Sequence, residues 1–421
     1  MIEDFDAIDF FRDPAFIPDP YPYFEYLRSE GAAPREPHHG IVMVTDYEDC
    51  IAVLHDTDTF SSCISVTGPF PGFPVPLEGD DISELIAQHR DKLPMSDQLP
   101  TFDPPMHTDH RALLMRLITP KRLRENEEFI WRLADRQLDE FIAHGRCEFM
   151  SEFASTFAML VIADLLGVPE EDHAAFRARL SKGAAGSTRG AMPLNPLEYL
   201  YARFTEYVED RRANPRDDVL TGLATATFPD GSLPEPIDVV RVAANLFAAG
   251  QETTVRLLAT AFKLIAEEPG YQDRLRGDRG AISNFVEETL RYESPVKGDF
   301  RLSKVPATIG GVDIPAGTTV MVLLGAANRD PDRFEHPNEF RPARDNARQH
   351  IAFGHGVHTC PGAPLARAEA KIAIERVLER VRDIRIDESE HGPADARRFD
   401  YAPTYILRGL NKLFLEFIPV A

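Results

Sequence analysis

The hydrophobic positions along most of the chain recur every three to four residues, which is typical of helices with one buried face. Together with proline and capping residues, this spacing predicts the helices Tyr23–Glu30, Tyr47–His55, Asp103–Ile118, Arg122–Ala143, Glu152–Leu166, Glu170–Leu180, Leu197–Ala213 and Ala281–Tyr292. Asp103, which precedes Pro104 and Pro105, is expected to cap the third of these helices with its carboxylate.

A longer helix is predicted from Ile237 to Glu267, and it ends before Pro269. At about 1.5 Å per residue it would extend over more than about 40 Å. Its centre is apolar except for the run Gly250-Gln-Glu-Thr-Thr254. A glycine inside a helix costs about 1 kcal/mol relative to alanine, and the paired threonines can bond carbonyls one turn back and bend the helix. Two interpretations stay open: a packing glycine beside satisfied threonines, or an acid–alcohol pair that relays protons.

Alternating patterns are few and short, so the predicted fold class is mainly α with a minor β portion. Strands are predicted at Gly40–Thr45, Ala307–Ile314 and Thr318–Leu324, and further short strands follow a helix that ends near Val381. No internal repeat or linker interrupts the chain, so residues 1–421 are expected to form a single domain.

Two stretches lack a regular pattern. Prolines interrupt residues 61–100, which makes this stretch either a functional loop or a surface insertion. Small residues fill Ser181–Gly190, which is either a lid or a connector between helices.

Composition narrows the possible environments and partners. The net charge is −22, which disfavours nucleic acid and anionic membranes as partners. The four cysteines show no paired spacing, so we expect no disulfide framework and a reducing compartment. The N-terminus resembles no signal peptide, and no apolar run approaches the length of a membrane span. We therefore expect a cytoplasmic protein.

One cysteine lies where chemistry is expected. Cys360 follows a glycine-rich turn and precedes a helix whose first turn carries Pro361 and Pro364. The positive end of that helix favours a thiolate, which acts as a nucleophile or a metal ligand. A zinc site with His355 and His358 is disfavoured, because H-x2-H-x-C matches no common zinc spacing.

Three other candidates are weak when taken singly. Glu288 and Arg291 are three residues apart on a helix and can pair, although most such pairs are solvated. His107 and Arg111 are four apart and suit an anionic ligand, as does Arg301, but a solvated surface is the commoner explanation.

Taken together, these segments resemble the cytochrome P-450 family. Phe353-Gly-His-Gly-Val-His-Thr-Cys-Pro-Gly362 is similar to its haem-ligand signature FxxGxxxCxG. Ala249–Thr253 resembles the family's oxygen-activation motif, and Glu288–Arg291 resembles its ExxR motif. Ala327–Arg344 is similar to the segment before the haem loop, and Asp103–Arg111 is similar to the early helix that contacts the haem. Their order and spacing agree from about residue 40 to the end of the chain.

The resemblance implies a role for each candidate residue. Cys360 would be the axial thiolate of haem b iron, and His107, Arg111, Arg301 and His358 would bind the haem propionates. Glu288, Arg291 and Arg344 would form a buried structural network. Glu252 and Thr253 would deliver protons to dioxygen. The fold would have a long central helix over the haem and small β-sheets.

The implied reaction is monooxygenation of a hydrophobic small molecule of terpenoid, steroid or similar size. A peroxide-driven peroxygenase and a non-catalytic haem-binding protein are the alternatives. We expect no reductase to be fused to this chain, so a separate ferredoxin and its NAD(P)H-dependent reductase would supply the electrons. The chain is expected to be a monomer. A basic surface is predicted for ferredoxin docking at Arg111, Arg116, Lys121, Arg122, Arg124 and Arg367.

The predicted substrate pocket combines the long helix with two access regions, residues 61–100 and 170–213. On the helix, Asn245, Ala248 and Ala249 are expected to face the substrate, whereas Leu246 and Phe247 face either the substrate or the core. Lys297 is either a polar anchor for the substrate or a side chain that extends to water.

Overall fold

The computed structural model describes residues 4–180 and 197–420, so the predicted lid or connector at 181–190 lies outside the described residues. The helices are α1 (Tyr21–Glu30), α2 (Tyr47–His55), α3 (Ser83–His89), α4 (Met106–Met115), α5 (Pro120–Phe141), α6 (Ser155–Leu166), α7 (His173–Leu180), α8 (Glu198–Ala213), α9 (Val219–Ala224), α10 (Pro236–Glu267), α11 (Pro269–Gly277), α12 (Ala281–Tyr292), α13 (Leu324–Ala327), α14 (Ala363–Arg380) and α15 (Glu388–His391). The strands are β1 (Val42–Val44), β2 (Phe60–Ser61), β3 (Arg146–Glu148), β4 (Asp299–Ser303), β5 (Ala307–Ile309), β6 (Val312–Ile314), β7 (Thr319–Val322), β8 (Val381–Ile386) and β9 (Phe414–Pro419). The prediction of a mainly helical chain with a minor β portion is confirmed.

The predicted cap of α4 is wrong. The helix begins at Met106 after Pro105, and no side chain caps it. The carboxylate of Asp103 instead accepts hydrogen bonds from the Ser61 hydroxyl at 2.5 Å and the Ser62 amide at 2.8 Å. Asp103 therefore ties the start of α4 to the chain after β2.

Two other predictions need correction. The stretch 61–100 is not devoid of structure, because it contains α3 and two short 3-10 turns. The predicted strand Ala307–Ile314 is a hairpin of β5 and β6. Gly310 and Gly311 have φ values of 54° and 83° at its turn, a conformation that glycine adopts without strain and that ends the first strand.

Strands from distant parts of the chain form the two larger sheets. The order in one sheet is β1-β7-β4-β2, in which β1 runs parallel to β7 with Met43 opposite Met321. In the other sheet β9 lies between β3 and β8, and Cys147 is opposite Leu415. The second sheet brings the C-terminal strand against the middle of the chain.

The long helix α10 lies at the centre of the main hydrophobic core and packs against α6, α8 and α14. A Cβ atom at Gly250 would lie 3.1 Å from Ile162 Cδ1 of α6, so this glycine allows the two helices to approach closely. This contact supports the packing interpretation of Gly250. Within the described ranges, no helix combines the length and apolarity that crossing a membrane requires.

Candidate active site

Cys360 lies at the junction of a tight loop and α14. The backbone amide of Cys360 donates to the carbonyl of Phe353 at 2.7 Å and closes the loop. Gly354 and Gly356 have φ values of 68° and 71°. A Cβ atom at Gly356 would lie 2.7 Å from the Leu54 carbonyl oxygen at the end of α2, so a glycine is required for this close contact. The loop is thus held between two helices with the thiol at its end.

The electrostatics of the thiol differ from the sequence-based expectation. Burial raises the pKa of the Cys360 thiol, and this effect exceeds the opposing ones of the Gly362 and Ala363 amides and the Arg111 guanidinium. The helix terminus therefore acts in the predicted direction but does not by itself produce a thiolate. A bound metal cation would produce the thiolate, because a thiol that coordinates a metal loses its proton.

The geometry also argues against a zinc site at this loop. His355 Nδ1 contacts His55 Nε2 at 2.5 Å, whereas the His358 ring lies against the His107 ring with 4.1 Å between their centroids. The two histidine side chains therefore contact different residues, His355 with His55 and His358 with His107. In the described ranges, they do not form a metal-ligand cluster with Cys360.

The four basic side chains predicted to bind an anionic group come from three separate elements and meet beside this loop. Arg111 of α4 donates from Nη2 to the Thr359 carbonyl at 2.6 Å. Arg301 of β4 donates from Nη1 to Asp299 at 2.8 Å, and His358 contacts the Ser62 hydroxyl at 3.1 Å. Arg301 and His107 both affect the titration of His358, so the four groups share one electrostatic environment.

Several buried donor atoms of this group lack partners. Both ring nitrogens of His107 and Nη2 of Arg301 are buried and have no hydrogen-bond partner among the described residues. Such atoms are costly unless a ligand satisfies them. Their donors suit carboxylates, and the glycine loop leaves the thiol beside them, so the residues present fit a haem with its propionates.

The two histidines of this group are neutral at physiological pH. Burial, assisted by the charge of Arg111, lowers the pKa of His107 to about 4. Burial and the charge of Arg301 lower the pKa of His358 to about 2. Each neutral imidazole can still donate one hydrogen bond, so the two arginines carry the positive charge of this group.

The orientation of α10 agrees with the predicted pocket face. Leu246 and Phe247 are buried in the core, which resolves the uncertainty about their direction. The positions that remain incompletely buried on the other side include Asn245, Ala248, Ala249, Glu252 and Thr253. They recur at three- and four-residue intervals and therefore line one face of the helix.

The acid and the hydroxyl on this face each have a partner on α10. The Thr253 hydroxyl donates to the Ala249 carbonyl at 2.9 Å, one turn back. Glu252 forms an ion pair with Arg256, whose side chain is almost fully buried. Sequence reasoning missed Arg256, although its four-residue spacing from Glu252 was a sufficient signal.

Lys297 does not extend to water. Its side chain is buried, and Nζ donates to the Thr404 carbonyl at 2.6 Å. Burial, with a smaller contribution from Arg408, lowers the pKa of this lysine to about 7. The interpretation of a solvated side chain is therefore wrong, and Lys297 is a buried amine held by a backbone carbonyl.

Glu288, Arg291 and Arg344 do form a buried network. Arg291 binds the Glu288 carboxylate through two nitrogens at 2.7 and 2.8 Å, and Arg344 Nε lies 3.0 Å from the same carboxylate. Both Glu288 and Arg291 are 0% exposed. The arginines also donate to carbonyls in the segment 328–339. The network therefore joins α12 to the chain that precedes the Cys360 loop.

The buried acid Glu369 was not predicted. Glu369 lies on the buried side of α14, its Oε2 atom has no partner within the described ranges, and burial raises the pKa of its carboxyl group well above the usual range. The sequence indicated this buried acid only by the position of Glu369 among apolar residues of α14 such as Leu365 and Ile372.

Comparisons with known proteins agree with this arrangement. The family model of cytochrome P450 matches residues 198–391. Cytochrome P450 144 of Mycobacterium tuberculosis is 33% identical over 372 residues, which cover 86% of this chain and 83% of that protein. The structure of Mycobacterium marinum cytochrome P450 CYP150A6 in its substrate-free form is 56% identical, with a TM-score of 0.94 over 99% of this chain and 100% of that chain.

A more distant structure is that of CYP109E1 from Bacillus megaterium in complex with testosterone. It is 26% identical to this chain, with a TM-score of 0.77 over 94% of this chain and 99% of that chain. The two Mycobacterium matches cover at least 86% of this chain and at least 83% of each relative. The chain therefore belongs to the cytochrome P450 family and is a monooxygenase whose cofactor is haem b.

Proposed function

We propose that the chain inserts one oxygen atom from O2 into a hydrophobic small molecule, and that Cys360 would supply the thiolate that holds the haem iron. The observation that carries this proposal is the convergence of the Cys360 loop with unpartnered buried donors of His107 and Arg301. Bound haem supplies the activation of dioxygen, and a thiolate ligand favours cleavage of the O–O bond. The protein residues bind, orient and deliver protons.

The propionate carboxylates would be held by Arg111, Arg301, His107 and His358. The two arginines would provide charge, and each of the two imidazoles would provide a hydrogen-bond donor. The Asp299 carboxylate, at 2.8 Å from Arg301, holds that guanidinium in place. Arg111 is held in the same way by the carbonyl of Thr359, the residue next to Cys360.

Glu252 and Thr253 would deliver protons from the pocket face of α10. The Thr253 hydroxyl is both a donor and an acceptor, and Glu252 is the neighbouring acid. The ion pair with Arg256 holds the Glu252 carboxylate along the helix. To pass a proton towards Thr253, this carboxylate would exchange Arg256 for solvent, and its partial exposure permits that movement.

An optical titration of the ferric protein against a compound library tests the proposed function and identifies a substrate. A compound that displaces the water on the iron would shift the absorption spectrum. Product formation with O2 and an electron donor would then establish hydroxylation. Spectral shifts without product from any binding compound would contradict the proposal.

Replacing Thr253 with alanine is expected to lower the product formed per electron consumed several-fold and to increase hydrogen peroxide, because proton delivery loses its hydroxyl. The substrate-induced spectral shift should persist. The matched control is Thr254→Ala, which alters a threonine buried away from the pocket face and should preserve coupling. Unchanged turnover of Thr253→Ala with peroxide and unchanged coupling with O2 would favour the peroxygenase alternative.

The substrate class proposed is an apolar compound of terpenoid, steroid or similar size. Asn245, Ala248 and Ala249 give the pocket face of α10 small apolar groups and one amide. The testosterone complex of CYP109E1 supports a ligand of this size in a pocket of this fold. Lys297 remains a candidate polar anchor, provided that it exchanges the Thr404 carbonyl for a polar group of the substrate.

Residues 61–100 and 170–213 are proposed as the regions that open for substrate. A polar cluster joins them to the long helix. The Tyr201 hydroxyl of α8 donates to Asp97 Oδ2 at 2.9 Å, and Arg241 Nε of α10 donates to the same oxygen at 3.2 Å. Gln98 also contacts Tyr201. Opening of either region would break these bonds.

Replacing Tyr201 with phenylalanine is expected to accelerate ligand association and dissociation about 2- to 10-fold, because one hydrogen bond contributes about 0.5–1.5 kcal/mol. Stopped-flow absorption of the ferric protein measures both rates. Tyr207→Phe is the matched control, since the Tyr207 hydroxyl bonds Asp172 within one access region. Equal rates in the two variants would argue against this role of Tyr201.

A separate ferredoxin and its NAD(P)H-dependent reductase are proposed as the electron donors. The docking surface would lie on α4 and α5 beside the Cys360 loop, where Arg116, Lys121 and Arg124 are exposed. Arg367 contributes less charge than expected, because it is paired with Glu287 at 2.7 and 3.0 Å. We also propose that residues 1–421 form a single domain and that the protein is a monomer.

Reversing one charge on this surface, with Arg124→Glu, is expected to slow reduction by an acidic ferredoxin several-fold at low salt. The difference should shrink as salt rises, because exposed charges are screened. Arg382→Glu on β8 is a control with the same change of net charge at another exposed position. Reduction rates that do not respond to salt in the unmodified protein would rule out this surface.

A further inference from the structure

A cluster of potential metal ligands lies in the N-terminal part of the chain. Asp9, Glu36 and His39 each offer a ligand atom, and these atoms all lie within 4.8 Å of one another. None of the three belongs to the residues assigned to the haem or to proton delivery. His39 also packs against the ring of Phe70 in the access region 61–100, with 4.9 Å between the ring centroids.

The turn that carries Glu36 and His39 is organised by its own backbone. The Glu36 amide donates to the Ile41 carbonyl at 2.8 Å, and the Gly40 amide donates to the Glu36 carbonyl at 2.9 Å. Glu36 Oε2 accepts from the His39 amide at 2.7 Å. These hydrogen bonds fix the conformation of the turn and keep the Glu36 carboxylate close to His39 before any ligand binds.

Asp9 Oδ1 accepts from the Phe11 amide at 2.9 Å, but two polar atoms at the cluster have no protein partner. Glu36 is 0% exposed, and its Oε1 atom has no hydrogen-bond partner among residues 4–180 and 197–420. The hydroxyl of the fully buried Tyr23 is also unpartnered in the described residues. The Tyr23 ring stacks on the ring of Phe10, the residue after Asp9, with 5.3 Å between the ring centroids, so Tyr23 packs beside the segment that carries Asp9.

The charges of the cluster are also unbalanced. Asp9 contacts His39 Nε2 at 2.8 Å, but neither Asp9 nor Glu36 forms an ion pair with a lysine or arginine in the part of the chain that the structure describes. A buried carboxylate without a cationic partner is costly. A cation would satisfy both carboxylates at once, whereas a water molecule would supply hydrogen bonds but no charge.

We propose that Asp9, Glu36 and His39 bind one divalent transition-metal cation, with Zn2+ as the best-matched probe. One imidazole and two carboxylates are ligands that Zn2+ accepts, and water would complete its usual four-coordinate shell. The metal would take the place of the hydrogen between His39 Nε2 and Asp9 Oδ2, and it would use the unpartnered Glu36 Oε1. His39 would bind through Nε2 as the tautomer protonated on Nδ1, and an imidazolium would release its second proton to solvent. Tyr23 provides a hydrogen-bond partner for the metal-bound water.

The structural consequence is a cross-link between the N-terminal segment and the turn at 36–41. This turn contacts Phe70 through His39, so the cation would also stiffen one wall of the access region. Because a cation that binds only the folded protein stabilises it, Zn2+ at 100 times its dissociation constant should lower the unfolding equilibrium constant about 100-fold. The effect does not depend on the proposed oxygenation.

Equilibrium dialysis of the tag-free, chelator-treated holoenzyme against Zn2+, with metal counted by mass spectrometry, tests the site. The expected result is one saturable zinc per chain and a higher unfolding temperature. His39→Gln and Asp9→Asn should each lose this zinc, while a normal haem spectrum shows that the variant is folded. No saturable zinc in the unmodified protein, as expected if water fills the cluster, would overturn the proposal.

Two controls separate this site from other histidines. His336→Gln removes an exposed histidine that lies 3.7 and 3.5 Å from Glu335 and Glu339. His55→Gln removes one half of the His55–His355 contact. Both controls should retain the zinc. Loss of zinc from either control, with retention in His39→Gln, would assign the metal elsewhere and overturn the proposal.

Discussion

Replacing Cys360 with serine is expected to abolish the red-shifted absorption band of the reduced carbon-monoxide complex. A serine hydroxyl is a harder and far less acidic donor than a thiol, so it does not provide the thiolate that this band reports. Monooxygenase turnover should fall to background for the same reason. Difference absorption spectra of the dithionite-reduced protein measure the first effect directly.

Cys50→Ser is the matched control for this substitution. Cys50 is buried in α2 and donates from Sγ to the Val44 carbonyl at 3.4 Å, a bond that a hydroxyl can also make. The control should retain the red-shifted band and haem content. Persistence of the band in Cys360→Ser would exclude Cys360 as the axial ligand and would refute the proposed site.

Replacing Glu288 with glutamine should have the largest effect on folding. The substitution keeps the shape of the side chain but leaves Arg291 and Arg344 buried without their common counter-ion. Removing one partner of a buried ionic network costs about 3–5 kcal/mol, a large part of a typical stability of about 5–15 kcal/mol. We therefore expect unfolding at markedly lower urea concentration and poor haem retention.

The comparison with an exposed pair distinguishes burial from charge alone. Glu206 and Arg203 are also three residues apart on a helix, but the Glu206 side chain is 63% exposed. Glu206→Gln should change the free energy of unfolding by only about 0–1 kcal/mol. Equal losses in the two variants would show that the Glu288 network contributes no more than a surface ion pair.

Local patterns predicted the long helices well, because each depends on neighbours within one or two turns, whereas the shorter helices α3, α9, α11, α13 and α15 were not predicted. The bounds of α2 and α12 agree with the prediction, and α10 begins one residue earlier than expected. The predicted start of α4 was wrong because of contacts with residues outside this helix. Ser61 and Ser62 bind the Asp103 carboxylate, so this group is not available as a cap.

Short elements were harder to predict than long ones. The hairpin of β5 and β6 was read as one strand, although Gly310-Gly311 was the signal for a turn. The strand β4 was not predicted, because its pairing with β7 and β2 stabilises it more than its own five-residue pattern.

By itself, the sequence determined the order of the helices, the position of Cys360 in a glycine-rich loop before a helix, and the spacing of the motifs that resemble one family. These features depend on local conformation and on residue identity. Burial and long-range pairing required the tertiary structure, because they depend on residues far apart in the chain. Arg344 meets Glu288 across 56 residues, and Arg111 meets Thr359 across 248. The same packing turned Lys297 inward, raised the pKa of the Cys360 thiol, and brought Asp9 to the turn that carries Glu36 and His39.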